Sequence, residues 1–146
     1  MKKKGFTLVE LLAVIAILAI LVIIALPNVM GMFNSAKKSS FETEIKEMIK
    51  GAQNQFLTDQ FGTGQSQTTY ASSGATGTKK IESMNVRAGL KYEIKMDTAG
   101  KITSAKFSDG SYWYSSGTVT DLSVEDISDS NIKITADTAD TTGLSS

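Results

Sequence analysis

Glu10 is the single ionisable side chain between Phe6 and Leu26, a stretch otherwise apolar apart from Thr7. A carboxylate near the middle of a bilayer costs about 2.5–3.5 kcal/mol on insertion scales, less near the interface, so such a group needs a partner. The stretch holds no Lys or Arg, and the nearest cations, Lys2, Lys3 and Lys4, lie on the preceding turns. Scission between Gly5 and Phe6 would create an α-amino group at Phe6. That amine has little reach along its own helix, but it can meet Glu10 of a neighbouring helix. The pair would neutralise both charges in a low-dielectric bundle.

Elsewhere the chain is poor in reactive groups. It has no His and no Cys, which removes the commonest general base, thiolate metal sites and disulfides. A membrane-tethered enzyme would have to use paired carboxylates or a Ser–Lys arrangement, and no recognisable pattern supports either. There is no phosphate-binding G-x-x-x-x-G-K-[ST] loop. The acids Asp121, Glu125, Asp126 and Asp129 offer oxygen ligands for calcium but lack EF-hand spacing, and they read as a solvated acidic surface. No cofactor, metal or catalytic residue is expected. The balance of 15 basic and 15 acidic side chains argues against a general nucleic-acid binder.

The elements that position Glu10 start with the apolar run. Its length is close to the roughly 20 residues that a helix needs to cross a hydrocarbon core of about 30 Å. The lysines before it predict a cytoplasmic N-terminus, with everything after Leu26 outside. A secretory signal peptide is a plainer reading, but the run is long for an h-region and no A-x-A site follows it. A plain signal anchor would explain the lysines and the run, but not Glu10.

The segment Lys4-Gly5-Phe6-Thr7-Leu8-Val9-Glu10-Leu11-Leu12 resembles the class III prepilin signal of type IV pilins and related pseudopilins. The resemblance implies that a prepilin peptidase cuts after Gly5 and methylates the new N-terminus at Phe6. It implies that Glu10 guides docking into a growing filament, and that Pro27 is the proline common near the end of the hydrophobic half. The implied partners are further copies of the chain, the peptidase, an assembly platform and a motor ATPase. Direct nucleic-acid contact is implied only for a competence pilus. The chain is then a single-pass membrane protein before assembly and part of an extracellular filament, serving adhesion or motility, afterwards. The alternative within the family is a pseudopilin of a secretion or DNA-uptake machine. The absence of Cys suits some Gram-positive type IV pilins.

Beyond the membrane segment, Pro27 predicts a kink, or the end of one helix and the start of the next. Phe33, Phe41, Ile45, Met48, Ala52 and Phe56 then recur at helical intervals, with Ile49 and Leu57 on the flank and charges between, predicting an amphipathic helix that ends near Phe61. Residues 62–78 carry no charge and read as a loop. A short strand or turn is expected at 79–85. Leu90, Tyr92, Ile94 and Met96 alternate with Lys91, Glu93 and Lys95, predicting a half-buried strand. Turns at Asp97–Gly100 and Ser108–Gly110 extend it into a meander through 101–107 and 111–115. Further short strands are expected at 118–124 and 131–135, and a polar, frayed tail from 137. The fold class is α+β, a long N-terminal helix packed against a small antiparallel meander, which the resemblance implies is the pilin fold. Its organisation reads as a leader at 1–5, a membrane or filament-core helix at 6–27, an amphipathic helix at 28–61, a loop at 62–78, a sheet head at 79–136 and a tail at 137–146.

Overall fold

A computed structural model describes residues 5–64, 68–72, 78–134 and 144. Leader residues 1–4, part of the 62–78 loop and nearly all of the tail from 137 lie outside the described residues. The chain divides into two compact units, Met1–Lys37 and Lys38–Ser146.

The first unit is helical. Helix α1 is assigned over Leu8–Thr63 and contributes to both units. Pro27 neither breaks nor ends it. A proline lacks the N–H that would reach back one turn, so a local defect in the hydrogen-bond ladder is tolerated within the helix. Near it the Asn28 side-chain amide donates to the Ile24 carbonyl at 3.5 Å.

The second unit holds the core. Its sheet is an antiparallel five-stranded meander in chain order: β1 Thr69–Ala71, β2 Lys91–Met96, β3 Ile102–Ser108, β4 Tyr112–Ser115 and β5 Lys133–Ile134. One face supplies Tyr92, Ile94, Met96, Ile102, Ala105, Phe107, Tyr112 and Tyr114, all buried. The helix supplies Phe41, Ile45, Met48, Ile49, Ala52 and Phe56, also buried. The alternation read in 90–96 therefore faces the helix stripe, and the layout is helix on sheet. A register shift between Lys95 and Met96 lets Ile102 and Ala105 share the core face despite their odd spacing.

Five details differ from the sequence expectation. Phe33 does not join the core: it is 58% exposed and lies under the Lys37 ammonium, 4.6 Å from the ring centroid. The loop at 62–78 contains an edge strand, β1, because its one large aromatic, Tyr70, packs fully buried opposite Ile94. The segment 79–85 forms only an isolated bridge, Tyr70 with Lys79, and the strand expected at 131–135 begins only at Lys133, as β5. No strand is assigned over 118–124. There the chain follows β3 irregularly, donating from the Val119 amide to Thr103 O at 2.8 Å and from the Leu122 amide to Ile102 O at 2.9 Å. Gly117 at φ +65° precedes this stretch and turns the backbone out of extended geometry.

Two polar networks tie helix to head. Asp59, nearly buried, accepts from Lys79 Nζ at 2.6 Å, Tyr70 hydroxyl at 3.0 Å and Gln55 Nε2 at 3.0 Å. Gln55 Oε1 in turn accepts the Glu82 and Ser83 amides at 3.2 and 3.0 Å. Burial pushes the Asp59 carboxyl up, but the hydrogen bonds from Lys79, Gln55 and Tyr70 and the Lys79 charge outweigh it and hold the group below its usual range. In the second network Arg87 grips Glu44 of the helix through two bonds of 3.0 and 2.9 Å. It also reaches Asp109 in the β3–β4 turn at 3.3 Å.

Candidate functional site

The candidate site is the start of α1. Gly5 and Phe6 precede the helix, and Phe6 is 83% exposed. Thr7 is the residue before the first helical position and Glu10 is three residues on. The Thr7 amide donates to Glu10 Oε2 at 2.9 Å, and the Thr7 hydroxyl donates to the same oxygen at 2.7 Å. The Glu10 amide donates back to Thr7 Oγ1 at 3.3 Å. This is a reciprocal capping box, which satisfies amides that no earlier turn can serve. The acid also sits at the positive end of the helix dipole.

Glu10 therefore has hydrogen-bond donors within its own first turn. The expectation of a carboxylate with no local partner is sharpened: among the described residues no cation pairs with it, but one of its oxygens accepts two hydrogen bonds. Thr7 carries no charge, so ionisable groups alone do not point to it. The signal was in the sequence, since Thr-Leu-Val-Glu has the S/T-x-x-E spacing that closes such a box.

Past Glu10 the helix presents apolar side chains on every side. Leu11, Ile15, Leu18, Leu21, Ile24 and Met30 are all more than half exposed. Among the described residues nothing covers this run, and it is long and apolar enough to cross a membrane. A continuous uncovered apolar surface of this size belongs in lipid or against other helices. Pro27 lies 17 residues beyond Glu10, about 25 Å along a helix, so it is not part of the N-terminal cluster.

Residues 1–26 match the family described as the prokaryotic N-terminal methylation motif. The chain carries the prepilin signal of type IV pilins and pseudopilins. The match spans Gly5, Phe6, Thr7 and Glu10 and stops one residue before Pro27. No curated protein and no solved structure matches the chain.

The other residues weighed for chemistry do not converge. Asp121 pairs with Lys101 at 3.1 Å and Asp129 with Lys38 at 3.4 Å. Asp126 accepts the Ser123 amide at 2.8 Å, and Glu125 is exposed. Among the described residues no three acids gather as a metal cluster. Trp113 lies on the sheet face opposite Tyr112 and Tyr114, with its indole N–H buried and unbonded.

Proposed function

We propose that this chain is a structural subunit of an extracellular helical filament, a type IV pilin, cut after Gly5 and N-methylated at Phe6. The supporting observation is the uncovered apolar helix whose one carboxylate sits in its first turn. Before assembly the helix anchors the subunit in the membrane, with the leader on the cytoplasmic side. Removal of the leader takes three lysines, leaving 12 basic against 15 acidic side chains. The Phe6 amine of one subunit then pairs with Glu10 of a neighbour. Thr7 prepares that contact by holding Glu10 Oε2 through its amide and hydroxyl, which fixes the carboxylate and leaves Oε1 for the incoming ammonium.

Moving the helix from lipid into a bundle of its own kind exchanges one apolar environment for another. Extraction is therefore uphill unless driven, which calls for an assembly platform and a motor ATPase. Pro27 acts as the point where the helix bends when packed against neighbours. A secretion or competence pseudopilin would share the same N-terminus, and the two differ in abundance and in length of filament.

Two variants test the reading. Gly5→Ala keeps unprocessed chain in the membrane, read by mass spectrometry of the N-terminus; normal cleavage and methylation would overturn it. Glu10→Ala is cleaved normally yet enters sheared filaments poorly, and an undiminished filament yield would overturn the charge pairing.

A further inference from the structure

The apolar surface of α1 does not stop where a membrane span of ordinary length would. Val29, Met30, Met32 and Phe33 are each more than half exposed, and Phe33 is the last exposed large hydrophobic side chain on the helix before Leu57. The first charges after Glu10 are Lys37 and Lys38. From Leu8 to Phe33 is 25 residues, about 38 Å of helix. A hydrocarbon core is about 30 Å thick. Tilt alone would have to reach about 37°, near the upper end of the roughly 0–40° range of membrane helices. Part of the run must therefore lie outside the hydrocarbon, and the groups at its two ends decide which part.

The far end carries an anchor. Side chains on a helix lean toward its N-terminus. The Lys37 ammonium accordingly lies 4.6 Å from the Phe33 ring centroid, which brings its charge back to the depth of the ring. Among the described residues no carboxylate pairs with Lys37, whereas Lys38 is taken by Asp129 at 3.4 Å. A ring beneath an ammonium suits the headgroup layer, with the ring toward the acyl chains and the charge toward lipid phosphate. The near end carries Glu10, whose charge costs least outside the hydrocarbon. Glu10 and Phe33 are 23 residues apart, about 35 Å. With Phe33 at one hydrocarbon boundary, the other falls about 20 residues back, near Ala13, and Glu10 enters the headgroup layer. A register ending at Pro27 instead leaves Glu10 inside the hydrocarbon and Phe33 about 9 Å beyond it. Asn28, which the first register buries, donates its side-chain amide to the Ile24 carbonyl and is not stranded in lipid.

We propose that Phe33 and Lys37 set the depth of α1 in the membrane. The ring sits at the hydrocarbon boundary of the leaflet away from the leader, and the ammonium binds lipid phosphate. Pro27 then lies within the hydrocarbon, and Glu10 is held among the opposite headgroups. There the carboxylate, and the Phe6 amine that cleavage creates, stay solvated until a neighbour arrives. The proposal rests on the membrane anchorage of the chain and not on filament assembly.

The test uses the full chain in a Trp113→Phe background, which removes its single native Trp. It is placed at low density in phosphatidylcholine vesicles brominated at successive acyl positions. Phe33→Trp is expected to be quenched most by the bromines nearest the headgroup. Leu26→Trp, 7 residues or about 10 Å deeper, should be quenched most by mid-chain bromines. Shallow quenching of Leu26→Trp, with Phe33→Trp reached only by aqueous acrylamide, would overturn the proposal and leave the membrane reading standing. No quenching of either by lipid would overturn both. Shielding of Phe33→Trp that arises only at high protein density would give this face to a second copy and overturn the proposal as well. The phosphate contact is read by nitrogen–phosphorus dipolar NMR on chain labelled at lysine Nζ. Lys37→Gln should lose part of the phosphorus dephasing, and an unchanged signal would overturn that contact. Phe33 and Lys37 lie outside the hydrophobic core, so these variants leave the C-terminal unit folded.

Discussion

Asp59→Ala should destabilise the C-terminal unit by about 3 kcal/mol, and the loss should shrink in acid. The magnitude comes from what the carboxylate leaves behind. The Tyr70 hydroxyl, on a residue with 0% exposure, loses an acceptor that water cannot replace, costing about 1–2 kcal/mol. Gln55 loses the partner of its amide, about 1 kcal/mol, although its carbonyl keeps the Glu82 and Ser83 amides. Lys79, with 36% of its side chain exposed, turns to water and contributes well under 1 kcal/mol. The sum sits at the low end of the roughly 3–5 kcal/mol seen when one member of a buried ion pair is removed. For a unit of this size it corresponds to a fall in Tm of about 10–15 °C.

The pH dependence is the sharper part. The Asp59 carboxyl is held below its usual range, so its contribution is complete above the unfolded value near pH 4. It is lost as pH falls through the lower folded value. The gap between wild type and Asp59→Ala should therefore be flat from about pH 7 to 5 and should narrow at lower pH, as the part that depends on the carboxylate's charge is lost. Thermal unfolding of the full chain in micelles, followed by Trp113 fluorescence, reads both. A gap under about 1 kcal/mol at neutral pH, or one that persists unchanged in strong acid, would refute the network as a stabilising device.

Two further outcomes follow from the backbone. Gly100 closes the β2–β3 turn at φ +82°, and a Cβ there would lie 2.8 Å from the Phe56 ring. Gly100→Ala should cost about 2–4 kcal/mol, from the left-handed backbone and the clash together. Gly110→Ala, at φ +89° with open space around it, should cost only about half as much; equal losses in calorimetry would remove the Phe56 contact from the account. Thr7→Val keeps the shape of the cap but removes its hydroxyl, so amide hydrogen exchange in the first helical turn should speed up about fivefold, the equivalent of about 1 kcal/mol. Thr7→Ser should restore the slow rate, and an unchanged rate in Thr7→Val would mean that the capping box does not hold Glu10 in place.

What the sequence determines here is whatever repeats over a few residues. The apolar run, the Phe41–Phe56 stripe and the alternation through 90–96 are each read from one element alone, because burial imposes the period of the helix or strand on its own side chains. The prepilin signal and the Thr7–Glu10 box are equally local, since their contacts lie three residues apart. Only the tertiary structure decides what depends on distant partners. β1 exists because β2 offers it an edge, and no pattern in its Thr- and Ser-rich segment announces that. Phe33 matches the stripe in spacing yet stays exposed, since a period marks a face without saying whether anything covers it. Segment 118–124 has strand-like residues, but Gly117 and the path along β3 prevent a regular ladder. The Asp59 network joins residues 20 apart, and the Arg87 grip joins residues 43 apart. Polar side chains carry no periodicity that names their partners, so such contacts become visible only once the core has set the elements side by side.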